Sequence, residues 1–124
     1  MILVDTSVWV DHFRSGDDTL AAHLDRGQVL LHPFVIGELA LGHLPRRDLI
    51  LSILHDLPQA GVASDSEVLQ FIDRQRLFGI GIGYIDAHLL AAIRLTPGAA
   101  LWTRDRSLRA VAAHLGLAAD TSLQ

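Results

Sequence analysis

Short, wholly apolar runs separated by amphipathic stretches constrain this chain more than any other feature. MILV opens it, QVLL follows at 28–31, AALW at 99–102, and LAA at 117–119 offers one more short run. Helix signals fill the gaps. VWVDHF after Thr6-Ser7 reads as a helix start, Asp17-Asp18 caps a short helix closing at Gly27, and Pro33 suits the first turn of a helix to Gly42. A further helix follows Arg46-Arg47 and stops before Pro58. The capping-box spacing of Ser64 to Glu67 opens one that ends near Gly79. Residues 84–95 and 106–115 complete the set, closed by Pro97-Gly98 and by Gly116. Strands without alternation are buried on both faces, and strands separated by helices pair in parallel. The expected architecture is a three-layer α/β/α sandwich with a central parallel sheet, one domain spanning 1–124.

The 124 residues suffice for a self-standing core, and a hydrophobic share of 50% rules out a disordered chain. The absence of cysteine excludes a disulfide framework, a thiol nucleophile and a cysteine zinc site, and fits a reducing cytoplasm. MILVD carries neither a basic leader nor a long apolar stretch, so no signal peptide is expected. No segment approaches the roughly 20 apolar residues of a membrane helix. The formal charge of -4 does not advertise nucleic-acid binding. If four carboxylates serve one metal site, however, the remaining surface is neutral. All ten basic residues are arginine, whose planar fork suits phosphate, although genome composition explains that bias as simply.

The acids fall in informative places. Asp5 directly follows the first apolar run and Asp105 closely follows AALW. Ligands of open parallel sheets bind beyond the carboxyl ends of strands, so two such acids can share a crevice. Acids there are also ordinary helix caps. Glu38 and Asp86 are more telling, because each falls in an apolar helical pattern. Val35, Glu38, Leu39 and Gly42 share one face, as do Asp86, Leu89, Leu90 and Ile93. Both acids are therefore expected on the core side, where an unpaired carboxylate is costly and needs a partner. Four carboxylates without histidine or cysteine make an all-oxygen site, suited to Mg2+ or Mn2+ rather than zinc.

The stretches ILVDTSVWVDHF, PFVIGELALG, GYIDAHLLAAIRL and LWTRDRSLRAVAAHLG, in this order, resemble the PIN-domain family and within it the VapC-type toxins of bacterial toxin–antitoxin pairs. The resemblance covers essentially the whole chain. It implies an acidic metal site at Asp5, Glu38, Asp86 and Asp105, supported by the hydroxyls of Thr6 and Thr103. It also implies Mg2+-dependent endoribonuclease activity on structured RNA, a cognate antitoxin whose tail blocks the site, and a homodimer.

Other residues carry weaker signals. Arg104, Arg106 and Arg109 cluster beside Asp105 and are candidate phosphate contacts, as are Arg46, Arg47, Arg74 and Arg76. A solvated helix face accounts for all of them equally well. Ser7 is expected to cap the first helix. His88 lies about 200° around its helix from Asp86, so it is no co-ligand, and the histidines are expected at surface or satisfied positions. GIGIG at 79–83 lacks a dinucleotide fingerprint and is read as a turn toward Asp86. Trp9 and Trp102 are assigned to the core or a dimer face.

Rival functions fit less well. A phosphate receiver domain lacks its lysine, and an aspartate-nucleophile phosphatase lacks the second aspartate after DTS. A silent binding module is disfavoured by the intact acids. A PIN nuclease with a processing role remains open from the sequence.

Overall fold

A computed structural model describes residues 1–122. Three strands, β1 (Ile2–Val4), β2 (Val29–Leu30) and β3 (Ala100–Trp102), form a parallel sheet in the order β2-β1-β3. Register is set by Ile2 opposite both Val29 and Ala100, and by Val4 opposite Trp102. The central strand is wholly buried, as the unbroken apolar run requires.

Seven helices surround the sheet: α1 (Thr6–Ser15), α2 (Asp18–Asp25), α3 (Pro33–Leu41), α4 (Arg47–Asp56), α5 (Asp65–Gln75), α6 (Tyr84–Leu95) and α7 (Arg106–His114). The chain leaves β1 toward β2 on one side, then crosses back over β1 to reach β3 on the other. Right-handed crossovers in opposite directions cover opposite faces, which produces the three layers. They also set the carboxyl ends of β1 and β3 side by side, the position at which open parallel sheets take ligands. Helix α6 packs on α5 and β3, while α3 packs on α1 and α4. The main core joins Leu3 and Val4 to Val8, Trp9, Leu20, Val35, Leu89, Leu90 and Leu108. No helix among the described residues is long and apolar enough to cross a membrane.

Local chemistry explains most boundaries. Ser64 and Glu67 form the reciprocal capping box at α5, with Ser64 N–H to Glu67 Oε1 at 2.9 Å and Glu67 N–H to Ser64 Oγ at 3.2 Å. Hydrogen bonding from Ser64, its backbone N–H first, holds the Glu67 carboxyl below its usual range. Replacing Ser64 by Ala is expected to lower stability by about 1 kcal/mol in a denaturant titration, with an unchanged slope.

Two expectations on extent change. Helix α5 stops at Gln75 rather than near Gly79, because Arg76 turns left-handed at φ 53° and its N–H caps the carbonyls of Ile72 and Asp73. LAA forms no full strand; it contributes a single parallel bridge from Ala118 to Leu101.

Candidate active site

Asp5 sits at the end of the central strand and caps α1, its Oδ1 accepting the Thr6 N–H at 2.8 Å. Only 8% exposed, it is also held from two further directions. Thr103 Oγ1 donates to Asp5 Oδ2 at 2.7 Å, and Ser7 Oγ donates to the same oxygen at 3.2 Å. Ser7 is therefore not the α1 cap. Asp5 takes that position, and Ser7, inside the first turn, turns its hydroxyl back onto it.

Beyond the end of β3, Asp105 caps α7 by accepting the Leu108 N–H at 2.9 Å. Its own N–H donates to Thr103 Oγ1 at 3.0 Å. One buried threonine hydroxyl thus links the two strand-end acids. Both carboxylates lie at helix N-termini, where the helix dipole and free N–H groups favour negative charge.

Glu38 reaches the cluster from α3, its Oε1 accepting the Thr6 hydroxyl at 2.9 Å. The expectation that it faces the core is not met. Val35, Ile36 and Leu39 form the buried face of α3, whereas Phe34, Glu38 and Leu41 are exposed. A helix of nine residues presents its apolar side by the summed placement of all of them, and here Ile36 rotates the stripe away from Glu38. Asp86 fits its expected place better: it is half-buried on α6 beside the buried Leu89, Leu90 and Ile93.

The electrostatics of Asp86 tie the fourth acid to the others. Burial pushes its carboxyl above the usual range. The Gly83 N–H, donating to Oδ2 at 3.1 Å, opposes this, while the negative charges of Asp5 and Asp105 push it further up. Neighbouring carboxylates raise one another in this way when no cation is bound between them. Among the described residues, no arginine or histidine forms an ion pair with any of the four acids. The glycine-rich approach serves this corner. Gly79 and Gly81 adopt φ of 73° and 89°, and a Cβ on Gly83 would stand 3.7 Å from Asp86 Oδ2.

The donor set suits a hard divalent cation: four carboxylates, no soft ligand, mutual repulsion and no competing counter-charge. The acids are linked but not drawn into a closed shell, and no three acidic or imidazole side chains among the described residues are gathered tightly enough to hold an ion. Each carboxylate oxygen described above already accepts a protein N–H or hydroxyl.

The arginines divide. Arg104 Nε lies 2.9 Å from Asp11 Oδ2 and Nη2 lies 2.5 Å from Asp17 Oδ2, so this guanidinium is engaged within the protein. Arg106 and Arg109 lie exposed along α7 and form no ion pair among the described residues. Arg47 donates to the Ala40 carbonyl at 3.0 Å, and Arg46 and Arg76 mark left-handed helix ends. Three residues of this neighbourhood went unassigned from sequence: Ser7 as an Asp5 partner, and Asp11 and Asp17 as partners of Arg104. The DTS spacing was the only available signal for the first. The other two depend on contacts across 93 and 87 positions, with no local signature.

Two histidines also depart from expectation. His32 and His88 are buried, and His32 Nε2 and both ring nitrogens of His88 have no hydrogen-bond partner among the described residues. Phe34 meets the His88 ring at a tilt and Tyr84 meets it edge-to-face, each at a centroid distance of 4.6 Å, and His88 Nε2 lies 3.5 Å from Asp65. His23 is satisfied by Gln28 and the Thr121 carbonyl.

Fold and site together define a small α/β domain with linked acids at the carboxyl edge of a parallel sheet. The chain belongs to the PIN-domain family, whose pattern matches residues 2–114. It is 48% identical over 118 residues, 95% of each chain, to Ribonuclease VapC32 of Mycobacterium tuberculosis strain CDC 1551 / Oshkosh. The same identity and coverage hold for Ribonuclease VapC32 of strain ATCC 25618 / H37Rv.

Proposed function

We propose that this chain is a Mg2+-dependent endoribonuclease of the VapC type, acting as the toxin of a toxin–antitoxin pair on structured RNA. The observation that carries the metal site is the linkage of the acids at the strand ends: Thr103 bonds both Asp5 and Asp105, Thr6 bonds Glu38, and none of the four acids has a cationic partner among the described residues. Membership of the PIN-domain family and near full-length similarity to proteins named as ribonucleases support the reaction class.

Asp5, Asp86 and Asp105 would hold the ion directly, with Glu38 binding through water or orienting the attacking water. A divalent cation bound by these residues would supply water activation, phosphoryl polarisation and stabilisation of the leaving oxygen. The chain's own groups provide the rest. Thr103 and Ser7 fix the Asp5 carboxylate in one rotamer through two hydroxyl bonds. Thr6 holds Glu38 at the start of α1. The α1 and α7 N-termini stabilise the ionised acids before any ion arrives. Arg106 and Arg109, exposed along α7, would receive phosphates flanking the scissile bond. A cognate antitoxin and a homodimer belong to the same reading.

Purified protein should cleave cellular RNA in Mg2+ or Mn2+ and stop when EDTA is added. Absence of cleavage in both metals would end the nuclease reading. Sequencing the cleaved ends, wild type against Asp5→Asn, names the target. Thr103→Val, which removes the hydroxyl but keeps the shape, should weaken metal binding about 10-fold, as loss of an outer partner of a ligand typically does. Calorimetric Mn2+ titration measures that directly.

A further inference from the structure

Arg104 lies between Thr103 and Asp105, in the middle of the loop that carries the fourth acid, and it points away from that acid. Its guanidinium spans two carboxylates on a different part of the fold, Asp11 on α1 and Asp17 at the α1–α2 corner. Asp17 is only 15% exposed and is itself anchored, capping α2 through Oδ1 to the Leu20 N–H at 2.8 Å. The backbone of Arg104 is tied as well. Its N–H donates to Ser7 Oγ at 3.1 Å, and that same hydroxyl donates to Asp5 Oδ2. The 103–105 segment is therefore fastened to the start of α1 by side chain and main chain at once.

We propose that Arg104 is a positioning residue for the metal site, a clamp that fixes the separation of Asp5 and Asp105 by locking the β3–α7 loop onto α1 and the α1–α2 corner, and not a contact to RNA. The inference rests on the metal-site reading above and deepens it.

The physical reason is that Asp5 and Asp105 belong to segments joined laterally by β1–β3 pairing, by the Asp5 N–H donating to the Trp102 carbonyl at 2.9 Å, and by the Thr103 and Ser7 hydroxyls. Past the Asp5–Trp102 bond the loop is held through side chains, and two like charges favour opening it. A guanidinium bound to two carboxylates through a planar fork resists that opening in two directions. With two acids already around it, the local charge is net negative, a poor receptor for a phosphate. Lysine, a point donor, could hold one of the acids but not span both.

The experiment is a Mn2+ titration by calorimetry on the full chain, with RNA kinetics and thermal melts alongside. It compares wild type, Arg104→Ala, Arg104→Lys and the double variant Asp11→Asn/Asp17→Asn. A clamp predicts Mn2+ affinity lower by about 10-fold or more in Arg104→Ala and in the double variant, with partial recovery in Arg104→Lys. The Mg2+ concentration for half-maximal cleavage should rise in parallel, while KM for RNA at saturating metal stays unchanged. A higher KM for RNA in Arg104→Ala with unaltered Mn2+ affinity would overturn the proposal in favour of a phosphate contact, and the double variant would then bind RNA more tightly. A lower melting temperature with unaltered Mn2+ affinity would overturn it in favour of a simple brace. Failure of the wild type to bind Mn2+ would defeat the metal-site reading itself, an outcome distinct from wild-type binding that Arg104→Ala leaves intact.

Discussion

Asp5→Asn should abolish RNA cleavage while leaving the fold intact or more stable. The side chain keeps its length, and asparagine caps a helix as well as aspartate does, so α1 retains its start. Removing the charge relieves the repulsion that Asp86 registers from Asp5 and Asp105. The melting temperature in EDTA should therefore be equal or higher than wild type. Cleavage should fall by more than the roughly 100-fold ceiling typical of losing an outer-shell partner, because a direct ligand is removed. Gain in stability with loss of activity is the signature of a residue kept for function against its cost to the fold. Cleavage by Asp5→Asn at the wild-type rate would refute the assignment, and a collapsed melting curve would instead mark Asp5 as structural.

Acid should unfold this protein through His32. Burial, and then the nearby His88, lower the His32 pKa from 6.5 to about 4. The neutral ring is also required locally, since Nδ1 accepts the Phe34 N–H at 3.0 Å to cap α3. A folded value below the unfolded one means the folded state resists the proton. The associated stability is fully present above pH 6.5 and is lost as pH falls toward 4. The full loss amounts to about 3 kcal/mol, a large share of the stability of a small domain. Asp86 acts in the opposite sense. Its raised carboxyl contributes stability below the ordinary aspartate range that is lost as pH rises through the folded value. Denaturant titrations from pH 7.5 to 4, wild type against His32→Asn, separate the two. Asparagine can keep the cap without titrating, so the variant's stability should vary much less with pH. An unchanged slope would show that His32 is not the sensitive group.

Much of this architecture was legible in order and kind. Apolar runs without alternation, capping residues and helix-closing glycines located the three strands and seven helices of the described residues, with boundaries misplaced by a few residues where only conformation decides. Arg76 illustrates the limit, because nothing in its side chain announces a left-handed turn. Asp5 and Asp105 were readable because strand ends and helix starts are local features. Glu38 was named for a reason that fails: it is exposed, and it enters the cluster through Thr6, a partner 32 positions away.

Local pattern settles which residues are apolar, which can cap and how often strand alternates with helix, since those properties act over one or two turns of chain. It therefore carried the parallel three-layer fold and the strand-end acids. Only the folded chain could decide that Thr103 joins Asp5 to Asp105, that Arg104 closes on Asp11 and Asp17 rather than on solvent, and that His32 and His88 are buried without full partners. Those outcomes depend on crossovers that bring distant segments within hydrogen-bond reach, and a hydrogen bond has no range beyond about 3.5 Å from which a linear pattern could announce it.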